Sequence, residues 1–180
     1  MTAGDEIVID DYIWNSKGKG SWFSRVLVFA TEKHAGQTRK DGSPYIYHPM
    51  AVAQLLKDRG LGIDYQIAGL LHDVLEDTDA TEAEVLDFAG PDILEAVKLV
   101  TKTEGYDENE YIEDILKNDI AKEVKNADRI HNLREAHTAG TDFIQRYIRD
   151  TEDNYKGRFS EELDYELDRL KEELDKRIGK

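Results

Sequence analysis

The chain has no cysteine in its 180 residues. Disulfides, thiolate metal sites and cysteine nucleophiles are therefore excluded. No apolar run approaches the roughly 20 residues that a membrane span needs. The first residues, Met1 to Glu6, are acidic and lack the basic-then-apolar order of a secretion signal. These absences lead to the expectation of a cytoplasmic protein with no membrane partner. Positive charge is also scarce: 24 Lys and Arg stand against 39 Asp and Glu, a net charge of −15. Such a field repels phosphate backbones, so no extended nucleic-acid partner is expected. A small anion can still bind in one pocket that has its own cations. No β alternation, internal repeat or low-complexity segment is visible.

What is present is a globular balance of 39% hydrophobic and 35% charged residues. A chain of this length forms one domain by prior and buries roughly 70% of its extended surface. Helical periodicity recurs along most of it. Ser21 is placed to cap a helix ending near Gly36, and Pro49 to open one that Gly60 and Gly62 close. Asp64 is placed to cap the next. Thr81 and Glu84 form a capping box, and Gly90-Pro91 starts another helix. Residues 103–110 read as a loop. Helices are expected around Tyr111–Leu116 and over 119–137, 141–156 and 160–178. In the last, Leu163, Leu167, Leu170 and Leu174 form a stripe that fits packing on the domain. The expected fold is all-α, a compact multi-helix domain of roughly eight helices over 21–180. Residues 1–20 read as an N-terminal extension, with a short packed segment at Ile7–Ile9 and Tyr12–Trp14.

The stretch Leu70–Thr78 organises the rest. Ile67, Leu70, Leu71 and Val74 follow the pattern of a buried helical face. On a continuing helix, Glu76 would share a face with His72, and Asp77 with Asp73. Buried carboxylates need a cation, a shared proton or water. The chain has five histidines. His48 ends a loop before Pro49, and Asp128 lies on a long helix with Asn132 one turn later. His48, His72, Asp73 and Asp128 make a mixed imidazole and carboxylate set, which suits Mn²⁺, Fe²⁺ or Zn²⁺ with open positions. Each piece alone has a plainer reading. A lone helical His is more often core or surface, and Asp128 beside Arg129 could be half of an ion pair. Their joint occurrence favours a metal site.

The segments His34–Pro49, Leu71–Thr78 and Asn126–Leu133 resemble, in that order, the motifs of the HD phosphohydrolase superfamily. More narrowly, they resemble the hydrolase domain of the RelA/SpoT group, and in length its stand-alone small alarmone hydrolases. The similarity spans about residues 22–156. It implies removal of the 3′-pyrophosphate of guanosine tetra- or pentaphosphate, with one divalent ion, Mn²⁺, as cofactor. It further implies His48, His72, Asp73 and Asp128 as metal ligands, and Glu76 and Asp77 as the catalytic acidic pair beside the attacking water. Arg39 and Lys40 match the substrate-contacting basic pair, and Asn132 a polar contact to the nucleoside. A divalent ion acidifies bound water and polarises a phosphoryl oxygen, while a carboxylate deprotonates that water. Composition alone would leave Arg39-Lys40 as a surface loop pair. Tyr45 and Tyr47 are expected to pack that loop, with one of them able to line a base pocket. His34 and His131 are assigned to structure or surface.

The chain departs from the family at Asn126, where Leu is common, and this is expected to alter packing near Asp128. Nothing resembles the synthetase half of the bifunctional enzymes, so alarmone synthesis is not expected. Residues 74–127 contain no His, which disfavours a dinuclear site. Two alternatives stand beside the alarmone hydrolase. One is a phosphohydrolase acting on another nucleotide, such as an adenine alarmone or NADPH. The other is a nucleotide-binding module without turnover.

Overall fold

A computed structural model describes residues 19–179. The expected packed segment at Ile7–Trp14 lies outside them. Among the described residues there are ten α-helical segments, a 3-10 turn and no strand, only an isolated bridge between Thr38 and Pro44. The helices are α1 (Lys19–Lys33), α2 (Tyr47–Asp58), α3 (Ile63–Leu71), α4 (Val74–Asp77) and α5 (Glu82–Ala89). They continue as α6 (Pro91–Val100), α7 (Glu108–Leu116), α8 (Asp119–Glu135), α9 (Thr141–Asn154) and α10 (Glu161–Ile178). The all-α expectation holds. Part of the excess over eight comes from a break at His72–Asp73, which separates α3 from α4.

Helix α8 runs through the centre and packs against α2, α3, α6, α7 and α10. Its Ala121, Val124, Ala127, Ile130 and Leu133 are buried, with Leu56, Ile67, Leu70 and Leu71 from α2 and α3. A helix surrounded in this way offers few exposed positions. Its polar residues Asn126, Asp128 and Arg129 are consequently buried as well, and each needs a partner. Asn126 accepts a hydrogen bond of 2.9 Å from Ser160 Oγ. Ser160 in turn caps α10 by accepting from Leu163 N. The Asn at the departure from the family pattern thus anchors the last helix. Leu163, Leu167, Leu170 and Leu174 of α10 are buried, and Arg134 of α8 bridges Glu162 and Glu166, each at 2.8 Å.

Several boundaries differ from the sequence reading. Helix α1 begins at Lys19, so Ser21 lies within it. Helix α2 starts at Tyr47, which puts His48 inside a helix and Pro49 at its third residue. Pro is tolerated there because first-turn N–H groups have no intrahelical acceptor. Gly62 rather than Asp64 occupies the N-cap of α3. Helix α7 opens three residues before Tyr111, because Asp107 caps it through Asn109 N and Glu110 N. The capping box at Thr81 and the Pro91 start are as expected.

Helices α2 and α3 approach closely at Gly69. A Cβ there would lie 2.7 Å from Leu56 Cδ1 and 3.3 Å from the Ala53 Cα. Leu56 could swing, but the backbone at Ala53 could not. Gly69→Ala should therefore destabilise the fold by about 1–3 kcal/mol, the usual cost of overpacking. Urea unfolding would show this as a lower midpoint with an unchanged slope, and an unchanged midpoint would refute the close approach.

Candidate active site

Three segments bring the site together. His48 comes from the first turn of α2, His72 and Asp73 from the break after α3, and Asp128 from the middle of α8. The interruption matters geometrically. His72 keeps helical angles (φ −58°, ψ −31°), whereas Asp73 is turned to φ −102°, ψ −4°. Both side chains then face the same centre. His72 Nε2 lies 3.0 Å from Asp73 Oδ2 and 3.7 Å from Asp128 Oδ1. His48 Nε2 lies 3.1 Å from Asp128 Oδ1 and 3.7 Å from Asp73 Oδ2. The donor atoms of His48, His72 and Asp128 all fall within 4.8 Å of one another, and Asp73 meets both imidazoles.

The surroundings fix how these groups are aimed. His72 Nδ1 donates to the Gly69 carbonyl at 2.8 Å. Its buried Nε2 faces the two carboxylates and has no hydrogen-bond partner. An orphaned imidazole nitrogen between two carboxylates is the signature of a cation site, and the donor set fits one divalent ion. Burial works against a charged His72, but Asp73 and Asp128 outweigh it and hold the ring up to about 10. Burial likewise opposes ionisation of Asp73 and Asp128. His72 keeps Asp73 below the usual carboxylate range, and Lys125 with both imidazoles does so for Asp128.

Several contributing residues carried no chemical role in the sequence reading. Lys125, one turn before Asp128, lies 3.1 Å from its Oδ2. The Tyr45 hydroxyl donates to Asp73 Oδ2 at 2.7 Å and reaches Asp77 Oδ2 at 3.1 Å. Tyr45 is therefore a bridge between the two carboxylates as well as loop packing; burial and Asp73 push its phenol up, so it stays a donor. Tyr47 is exposed. His131, assigned to structure or surface, has its Nδ1 2.9 Å from His48 Nδ1. Burial and His48 lower it to about 4, so it is neutral at pH 7. Its spacing of three from Asp128 was the available signal, since that spacing places it one turn along the same face. His34 is buried against Gln37, 2.8 Å from its Oε1.

The acidic pair divides. Asp77 retains a helical bond from its N–H to the Asp73 carbonyl (2.9 Å), and so stays on the Asp73 side. Glu76 turns toward the chain after α6, where Oε2 accepts from Lys102 N at 2.8 Å. Loss of surrounding water raises the Glu76 carboxyl above its ordinary value, with Lys102 N–H and Lys125 opposing.

Beside the centre opens a cavity of about 550 Å³, lined among others by Arg39, Lys40, Tyr45, Asn132, Glu135 and Phe143. Asn132 links it to the centre, donating to Asp128 Oδ1 at 2.6 Å and accepting from Arg39 Nη2 at 3.0 Å. Arg39 also pairs with Glu135, and Lys40 Nζ sits 3.3 Å from the centroid of the Phe143 ring. Arg39, Lys40 and Asn132 thus lie at one pocket.

A His-Asp pair with a buried imidazole, meeting a second His and a distant Asp inside a helical bundle, defines a class. The chain belongs to the HD domain family, whose profile matches residues 26–157. Within it, the chain is 37% identical over 140 residues to a probable guanosine-3′,5′-bis(diphosphate) 3′-pyrophosphohydrolase of Synechocystis. That match covers 72% of this chain and 18% of the relative. The bifunctional (p)ppGpp synthase/hydrolase SpoT of Escherichia coli is 36% identical over 142 residues, covering 73% and 20%. The chain therefore spans about a fifth of the length of these curated relatives. Among solved structures, a metazoan ortholog of SpoT that hydrolyzes ppGpp superposes with a TM-score of 0.70 at 28% identity. It covers 91% of this chain and 97% of its own. A Listeria monocytogenes protein shares the fold at a TM-score of 0.55 and 24% identity, covering 77% and 98%.

Charge on His72 sets a pH dependence. Without metal its ring is protonated at neutral pH, so a cation reaching Nε2 must displace that proton. Lower pH favours the proton and higher pH favours the metal. Affinity for a divalent cation should rise about tenfold per pH unit between about pH 6 and 8. Calorimetric titration in buffers of different ionisation enthalpy would register the released proton, and a flat affinity would contradict the assignment.

Proposed function

We propose that this chain hydrolyses guanosine tetra- and pentaphosphate (ppGpp and pppGpp) at the 3′-pyrophosphate, giving GDP or GTP and pyrophosphate with one Mn²⁺. The observation that carries the reading is the convergence of two imidazole nitrogens and two carboxylates on one point beside a pocket lined by Arg39, Lys40 and Asn132. In this reading His48, His72, Asp73 and Asp128 hold the ion. When bound, the ion supplies Lewis acidity to a phosphoryl oxygen and to water.

The chain's own residues do the rest. Arg39 and Lys40 bring local positive charge to a molecule with an excess of 15 negative charges, and so admit a polyanion. Asn132 orients the nucleoside side. Glu76, with its raised affinity for a proton, accepts one from the attacking water. Asp77, held by Tyr45, orients that water. Water oxygen bonds to the phosphorus carrying the 3′ oxygen, the bond to that oxygen breaks, and the 3′ oxygen leaves as a hydroxyl after gaining a proton. The small-nucleotide partner and a cytoplasmic location agree with the acidic charge. Among the described residues, no helix is long and apolar enough to cross a membrane.

A nucleotide panel with added Mn²⁺ tests the reaction. Pyrophosphate released from ppGpp supports it, whereas orthophosphate alone, or binding without product, refutes it. His72→Ala and Asp73→Asn should abolish both turnover and metal retention. Glu76→Gln should keep the metal yet slow turnover by about two or more orders of magnitude. Full activity in the Glu76 variant would remove its assigned role.

A further inference from the structure

Polar contacts join the metal centre to the pocket in a closed ring. Asp128 Oδ1 lies 3.1 Å from His48 Nε2, and His48 Nδ1 lies 2.9 Å from His131 Nδ1. His131 Nε2 is 3.5 Å from Glu135 Oε1, and the other oxygen of Glu135 pairs with Arg39 Nη2. Arg39 Nη2 donates to Asn132 at 3.0 Å, and Asn132 donates back to Asp128 Oδ1 at 2.6 Å. One carboxylate, Glu135, stands between the two halves and uses a different oxygen for each. The proposed reaction leaves it without a task.

The direction of the protons follows from the geometry. His48 turns Nε2 to the centre, so a lone pair is needed there and the proton sits on Nδ1. That proton is donated to His131 Nδ1, which must then present a lone pair. The proton of His131 therefore sits on Nε2, 3.5 Å from Glu135 Oε1, a polar contact longer than a hydrogen bond. Glu135 thus acts on His131 through its charge, and His131 acts on His48 through a hydrogen bond, a series that favours one tautomer of the proposed ligand and raises its basicity. On its other side Glu135 acts differently: it neutralises the one guanidinium that an anionic ligand would seek. We propose that Glu135 is a positioning residue that sets His48 for the metal through His131 while restraining Arg39 at the pocket wall, so that metal and nucleotide binding are coupled through one side chain. This rests on the reading of the site as a cation centre beside a nucleotide pocket.

Opposite demands on one carboxylate predict opposite effects of one substitution. Glu135→Gln keeps the size and removes the charge, and Glu135 is half-exposed, so the fold should survive. Mn²⁺ alone, titrated by the spin signal of the free ion, should bind about tenfold more weakly than to wild type. With Mn²⁺ saturating, the KM for ppGpp should fall roughly threefold, because Arg39 is released from an exposed ion pair. His131→Leu cuts only the first arm and should weaken Mn²⁺ binding without lowering KM. Combining the two should weaken Mn²⁺ no further than His131→Leu alone. A purely structural Glu135 would weaken both ligands together. Unchanged Mn²⁺ affinity in Glu135→Gln, a KM that stays or rises, or additive Mn²⁺ losses would each overturn the coupling. Wild type that binds no Mn²⁺ would remove the cation centre itself, and the coupling with it.

Discussion

Two carboxylates and two imidazoles crowd one largely buried space at the middle of this protein, and that electrostatic demand organises what lies around it. Asp73 and Asp128 each remain ionised despite burial because His72, His48 and Lys125 surround them. In the absence of a metal, a proton on His72 balances the charge. With a divalent ion bound, that proton is no longer needed. Removing one member would leave another as an uncompensated buried charge, which is costlier than the loss of the contact itself. The four groups are therefore best regarded as one unit.

The backbone serves that unit by breaking. A straight helix through Ile63–Asp77 would set residues 72 and 73 about 100° apart around its axis. The turn at Asp73 lets both face the same point, and the Gly69 carbonyl fixes the His72 ring from behind. Gly69 also allows α2 to approach closely enough to deliver His48. Packing and chemistry are thus joined at a single residue without a side chain. Helix α8, buried on nearly every side, supplies Asp128 and Asn132 to the site and Asn126 to the last helix from a single run of seven residues.

Much of this was legible in the chain itself. Apolar periodicity marked the helices, and the capping box at Thr81 and the Gly90-Pro91 break were correctly placed. The candidate donors His48, His72, Asp73 and Asp128 stood out through order and type, whereas Arg39, Lys40 and Asn132 were singled out only by the resemblance to the RelA/SpoT motifs. Boundaries were missed where a cap competed with periodicity, as at Asp107, or where a helix began before its proline, as at Tyr47. Tyr45 was missed as a contributor because an aromatic in a loop has no distinctive spacing, and His131 because its spacing of three from Asp128 places it on the same helical face without naming its partner. What matters about each is a partner that is 28 or 83 residues away.

The sequence by itself determined an acidic, cysteine-free, helical chain that bears a donor set for one cation, because these properties depend on composition and short-range spacing. Only the tertiary structure decided where those donors meet, that the helix opens at His72–Asp73, and that Glu135 stands between the centre and the pocket. The physical reason is that hydrogen bonds and ion pairs act over a few ångströms of space. Nothing in a chain's linear order reveals which distant side chains folding will bring that close.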